Sequence, residues 1–236
     1  MLELFITSID KNSDKKFVVA GLSATMQSLG YSTCVYKPIE VGAYETNGYL
    51  QSHELSYVKF VDPFVKTYFS YIFKANLPPI LAGASEGLKI EKNIILKDYQ
   101  EIQNINECTL INGLSGLTTP LNKDFFEEDI IKILDLPLLF TVNMKNSDIN
   151  NVVLSINRAK EIGIDLRGLL FTGYDKSEED MGIKLMPKLV ENYTDIKVLG
   201  SLPKLENNIN PEDLVIEILT NVDVESVFKL NIAKLR

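Results

Sequence analysis

The feature that most constrains this chain is an alternation of short apolar runs with helical stretches, continued almost from end to end. Residues 2–7 (LELFIT) are short, branched and aromatic, as a buried strand requires, and a polar stretch follows at residues 8–16. A helical pattern then covers residues 16–29 and stops at Gly30, a residue suited to the left-handed turn that ends helices. A second strand is predicted over residues 32–37 (STCVYK), closed by Pro38. Further strands are predicted over residues 108–112, 138–143, 169–172 and 197–199, with helices over 148–161 and 178–190. Pro211 opens a late helix with Glu212 and Asp213 in its first turn, where their charge suits the helix dipole.

Strands that alternate with helices form an open, mostly parallel sheet, because the crossover helices cover both of its faces. The expected fold class is therefore α/β in three layers. No linker, repeat or low-complexity tract interrupts the chain, so residues 1–236 read as a single domain. Ligands in such sheets sit beyond the carboxyl ends of the strands. That rule singles out residues 8–16, 37–43, 112–119, 143–150, 172–174 and 201–205.

Composition narrows the partners. Apolar residues make up 45% and charged residues 24%, the balance of a globule with a packed core. The net charge of −8 comes without a basic cluster, which argues against a nucleic-acid backbone or an anionic membrane surface as partner. No apolar run approaches the roughly 18 residues of a membrane span. The opening MLELFITSID has neither a basic region nor a small-residue cleavage site. Cys34 and Cys108 lie in apolar runs and read as reduced packing residues, which suits a cytoplasmic protein.

Residues 8–16 read Ser8-Ile9-Asp10-Lys11-Asn12-Ser13-Asp14-Lys15-Lys16, and they occupy the place of a phosphate-binding loop of the form G-x-x-x-x-G-K-[ST]. Tyr36-Lys37-Pro38 follows the second strand, and residues 81–87 read LAGASEG. Residues 111–121 read INGLSGLTTPL after the next strand. Leu136-Pro137, Lys145 and Ile149-Asn150 come next, and Leu199-Gly200-Ser201-Leu202-Pro203 lies near the end. In this order and spacing the chain resembles the dethiobiotin synthetases of the P-loop NTPase superfamily over nearly its whole length.

The resemblance implies ATP- and Mg²⁺-dependent chemistry in biotin synthesis. In that family 7,8-diaminopelargonate is carboxylated, the carbamate is phosphorylated by ATP, and the ureido ring closes. It also implies a homodimer with the small-molecule substrate at the subunit interface. By the same resemblance Lys15 and Lys37 are catalytic and neutralise carbamate and phosphate charge. Lys37, Ser115 and Asn150 would hold substrate, Asn150 reaching it from the neighbouring subunit. Glu54 and Asn112 stand at the metal-ligand positions. Asp10, Lys11, Asp14, Lys16, Thr172 and Pro203 stand at the nucleotide positions.

Several of these positions depart from the family pattern. Ser8 and Asp14 replace the loop glycines, which turn the backbone through positive φ and present bare N–H groups to phosphate. Asp14 adds backbone strain of about 1–3 kcal/mol and a negative charge at the phosphate position. Lys16 replaces a metal-binding threonine, and an ammonium cannot ligate Mg²⁺. Asn112 replaces a glutamate, and Thr172-Gly173 replaces an adenine-reading asparagine–aspartate pair. One compensating device is a cationic cluster of Lys11, Lys15 and Lys16. Three readings follow: a divergent enzyme of this type, a ligand-binding pseudoenzyme, or a non-catalytic partner subunit of an intact synthetase.

Each residue also has an ordinary alternative. Lys15 and Lys16 suit a solvated helix start, Lys37 a surface position and Glu54 an exposed helix face. Asn112 and Asn150 suit a loop and a helix cap. His53, the single histidine, suits surface or packing, and Tyr68, Phe69, Tyr71 and Phe73 suit the core or a dimer contact.

Overall fold

Along the first strand, side chains alternate between two separate cores. Leu4 and Ile6 enter one, and Phe5 enters the other. Successive side chains of a strand point to opposite faces, so a strand buried on both faces feeds a core on each side. The computed structural model describes residues 1–11, 14–175 and 177–230; Asn12 and Ser13 of the loop lie outside them.

In chain order, β1 (Leu2–Ser8) leads to α1 (Lys15–Ser28), β2 (Thr33–Val41) and a small hairpin of β3 (Tyr44–Thr46) and β4 (Tyr49–Gln51). Then come α2 (His53–Val61), β5 (Lys66–Phe73), α3 (Pro79–Ser85) and α4 (Lys92–Gln103). β6 (Cys108–Ser115) is followed by a second hairpin, β7 (Pro120–Asn122) and β8 (Phe125–Phe126), and by α5 (Glu127–Ile133). The remainder is β9 (Leu138–Asn143), α6 (Ile149–Glu161), β10 (Leu166–Tyr174), α7 (Met181–Thr194), β11 (Val198–Pro203), α8 (Pro211–Asn221) and α9 (Val224–Phe228).

Seven strands form one sheet in the order β11-β10-β9-β1-β6-β2-β5, with every pairing parallel. Residues of α4, α5, α6 and α7 pack against Phe5, Tyr36, Ile111 and Phe140 on one face. Residues of α1, α2, α8 and α9 pack against Leu4, Ile6, Val35 and Leu139 on the other. The expected three-layer α/β fold is the one observed. β1 is central, with β6 and β9 on its two sides, and the chain passes from β6 across β1 to β9. This reversal of winding direction places a crevice beyond the end of β1, next to residues 8–16.

Pro38 does not close β2, as the sequence suggested; the strand runs on to Val41. The pairing of β2 with β6 ends at Tyr36, and beyond it β2 pairs only with β5. A proline there removes no hydrogen bond on the β6 side. Tyr68, Phe69, Tyr71 and Phe73 belong to β5, an edge strand. Tyr71 and Phe73 enter the core, whereas Phe69 is 47% exposed. Cys34 and Cys108 are buried free thiols, and burial pushes Cys34 up to about 11. Among the described residues no helix is long and apolar enough to cross a membrane.

Candidate functional site

Three framework elements bring nitrogen donors together around one carboxylate. Lys15 is the first residue of α1, Lys37 lies within β2, and Asn112 lies within β6. All three are buried, each at most 5% exposed. Glu54 arrives from the first turn of α2. The start of that helix is fixed because the Ser52 hydroxyl accepts from the Leu55 N–H at 3.1 Å and donates to Glu40 of β2. The Ser52 cap thus ties α2 to the strand that carries Lys37.

The Lys37 ammonium donates to Glu54 Oε2. Lys15 Nζ lies 3.4 Å from Oε2 and 3.5 Å from Oε1 of the same carboxylate. Asn112 Nδ2 donates to Glu54 Oε2 at 2.9 Å, while Asn112 Oδ1 accepts from Lys15. Lys15 also donates to the Gly113 carbonyl at 2.7 Å. The surface alternatives for Lys15, Lys37 and Glu54 are therefore set aside.

Burial works against the charge on every member of the cluster, and their mutual attraction decides the outcome. Burial, with the like charge of Lys37, draws the Lys15 ammonium down to about 8 against the pull of Glu54 and Glu127. For Lys37, burial is outweighed by Glu54 and Glu40, which hold it above the ordinary lysine value. For Glu54, burial is outweighed by Lys15 and Lys37, which hold it well below the usual carboxylate range.

Glu127 is a member of this neighbourhood that the sequence did not reveal. Its carboxylate is 1% exposed, and Oε2 accepts from the Leu114 N–H at 2.7 Å. Gly113 C=O and Leu114 N–H belong to one peptide unit, so that unit is held by the Lys15 ammonium at one end and by Glu127 at the other. A side chain at Gly113 would destroy this fit: its Cβ would lie 2.5 Å from Phe5 Cε1 and 2.8 Å from Glu127 Oε1. Gly113→Ala is expected to cost about 1–3 kcal/mol, because neither buried neighbour has room to move. A lowered urea midpoint at unchanged m-value would show it.

Burial pushes the Glu127 carboxyl up to about 7, against hydrogen bonds from Thr7 and Leu114. Between 4.5, its ordinary value, and about 7, the folded chain keeps a proton that the unfolded chain has lost. Stability from this group therefore falls as pH rises through that window. Glu127→Gln removes the charge and keeps an oxygen acceptor for Leu114. The variant is expected to melt about 5 °C higher than the parent at pH 8 and within about 1 °C of it at pH 5. Equal melting temperatures at pH 8 would show that Glu127 carries no such penalty.

The loop residues are placed differently from one another. Asp14 adopts the left-handed conformation (φ 55°) directly before α1. Aspartate tolerates this region better than most side chains. Its carboxylate accepts from Asn143 Nδ2 at 2.9 Å at the end of β9, and burial raises its pKa. The expected Lys11–Lys15–Lys16 cluster does not form. Lys15 turns inward, Lys11 is exposed, and Lys16 donates to Asn207 with its ammonium over the Tyr57 ring at 5.4 Å. The reason is packing: Phe17 and Tyr57 provide an aromatic surface on which the Lys16 stem and charge settle.

Asp10 and Ser115 line a cavity of about 410 Å³ with Thr119, Asn151 and Arg158. Asp10 Oδ1 accepts from Asn151 at 3.3 Å. Asn150 is exposed in the first turn of α6, which is capped by Asp148 rather than by an asparagine. Thr172 is buried within β10, and Pro203 ends β11 opposite Tyr174. His53 stacks on Tyr44 with ring centroids 4.5 Å apart.

The donor set does not fit Mg²⁺, which demands oxygen ligands in near-octahedral array. Both Glu54 oxygens are engaged by nitrogen donors, and Asn112 Oδ1 accepts from an ammonium. Among the described residues no cluster of three His, Cys, Asp or Glu side chains could hold a metal ion. A phosphate group fits better: Lys15 stands at the N-terminus of α1, where charge and helix dipole favour an anion.

A family model described as an AAA domain (AAA_26) matches residues 3–226. The ATP-dependent dethiobiotin synthetase BioD of Fusobacterium nucleatum is 30% identical over 201 residues, covering 83% of this chain and 91% of that protein. BioD of Bacillus subtilis is 28% identical over 214 residues, covering 88% and 89%. Among solved structures, the septum site-determining protein MinD of Pyrococcus horikoshii, complexed with Mg-ADP, superposes with a TM-score of 0.58 at 14% identity, over 97% of this chain and 93% of that one. That likeness shows the P-loop NTPase fold. With the relatives aligned over most of their own length, the chain belongs to the dethiobiotin synthetase family of the P-loop NTPases.

Proposed function

We propose that this protein is a divergent enzyme of the dethiobiotin synthetase type, acting in biotin metabolism on the carbamate of a diamine such as diaminopelargonate. The observation that carries the reading is the convergence of Lys15 and Lys37, both buried, on a single anionic position. Phosphorylating a carbamate and closing a ureido ring both gather negative charge on oxygen. Preorganised cations in a water-poor pocket are what such steps need. Lys37 and Lys15 neutralise that charge, and the cavity lined by Asp10 and Ser115 adjoins the same loop. The relatives are named as ATP-dependent, and ATP is the phosphoryl donor proposed here. The reading includes a homodimer in the cytoplasm, with Asn150 contributed across the subunit interface.

The test is phosphate release on adding ATP, bicarbonate and diaminopelargonate, with calorimetric titration of each ligand. Phosphate release that requires the diamine supports the reading. Asp14, which puts a carboxylate bonded to Asn143 directly before α1, favours a second reading in which the pocket binds the diamine without turnover. Diamine binding with no phosphate release would select it.

A further inference from the structure

The resting cluster has the form of an occupied anion site. Lys37, Lys15 and Asn112 direct nitrogen donors at one carboxylate, and they come from β2, α1 and β6 around the centre of the sheet. Glu54 differs from them in two respects. It comes from α2, at the margin of the cluster, and its side chain is 27% exposed where the two lysines are at most 5% exposed. A rigid, buried donor set thus holds a more accessible carboxylate. Three nitrogen donors share the two oxygens of that carboxylate, and a phosphoryl group would offer them three. A divalent cation placed against Glu54 would instead face both ammonium groups at short range.

We propose that Glu54 is a resident stand-in for a phosphoryl dianion, and that the dianion enters by displacing it from Lys15, Lys37 and Asn112 without the help of a divalent cation. The inference rests on the reading of this cluster as the anion site, and does not depend on turnover. The expected order of events is release of Glu54 toward solvent on α2, followed by occupation of its place by phosphoryl oxygens.

The experiment is calorimetric titration of the full chain with inorganic pyrophosphate in EDTA and again with excess Mg²⁺, for the parent and for Glu54→Gln. The parent is expected to bind in EDTA, and Mg²⁺ is expected not to tighten binding. Glu54→Gln is expected to bind about tenfold more tightly than the parent, since the competing charge is gone. Equal or weaker binding by Glu54→Gln overturns the proposal, as does binding by the parent only when Mg²⁺ is present. Absence of pyrophosphate binding in every condition also overturns it. Where Glu54→Gln shows no cooperative melting, the Mg²⁺ dependence of the parent decides. Failure of the proposed catalytic function would show separately, as pyrophosphate binding without phosphate release in the diamine assay.

Discussion

Replacing Lys37 by methionine is expected to lower diamine-dependent phosphate release by about 10²–10³-fold, the usual effect of removing one preorganised charge from an acyl- or phosphoryl-transfer site. Methionine keeps the length and apolar character of the lysine stem, so the substitution tests charge rather than packing. The fold should survive. Lys37 is 3% exposed and Glu54 retains Lys15 as a partner, so the variant removes a buried charge without stranding its counterion. Removing one member of a buried ion network costs stability, and Lys15, which stays beside Glu54, limits that cost. Steady-state rates and a melting curve check the two halves together. A rate within about tenfold of the parent, on a folded protein, would remove Lys37 from the chemistry.

Glu54→Ala is expected to have the largest effect on stability, about 3 kcal/mol, because it leaves two buried ammonium groups without their shared partner. For a chain of this size that corresponds to a melting temperature lower by about 6 °C at pH 7. The second substitution Lys37→Met, added to Glu54→Ala, should recover much of the loss, since one stranded charge replaces two. The pH dependence carries its own check. Lys15 and Lys37 hold the Glu54 carboxyl below its ordinary value of 4.5, so its contribution is fully present above that pH and is lost as pH falls below it. The gap between parent and Glu54→Ala should therefore narrow in acid. A gap that stays constant down to pH 3 would mean that the carboxylate stabilises the fold through packing alone.

The elements that the sequence announced are those with strong local signals. β9 falls at residues 138–143 as expected, α8 opens at Pro211, and α6 spans all but the first residue of its expected range. Branched apolar runs and capping residues set these boundaries over a few neighbouring positions. β5 shows in the sequence only as an aromatic cluster, because an edge strand is buried in part and its alternation is broken by the exposed Phe69. The helices α2, α3, α4 and α5 carried weaker local patterns, and the sequence assigned none of them.

The site divides in the same way. Order and spacing along the chain, through family resemblance, pointed Lys15, Lys37, Glu54 and Asn112 to one site, and strand alternation put Lys15, Lys37 and Asn112, but not Glu54, at the carboxyl ends of parallel strands. Only the tertiary structure decided what they do to one another. Whether Glu54 faces a metal or two ammonium groups depends on how α2 docks on β2, a contact made through Ser52 and Glu40. The run Glu127-Glu128-Asp129 reads locally as a solvated helix start, yet Glu127 is buried against Gly113 and raised to about 7. Lys16 sits beside Lys15 in sequence and turns the opposite way because aromatic rings lie on that side. Burial and charge pairing are set by residues distant in the chain, so neither a charge nor its partner can be read from the neighbours of a residue in sequence.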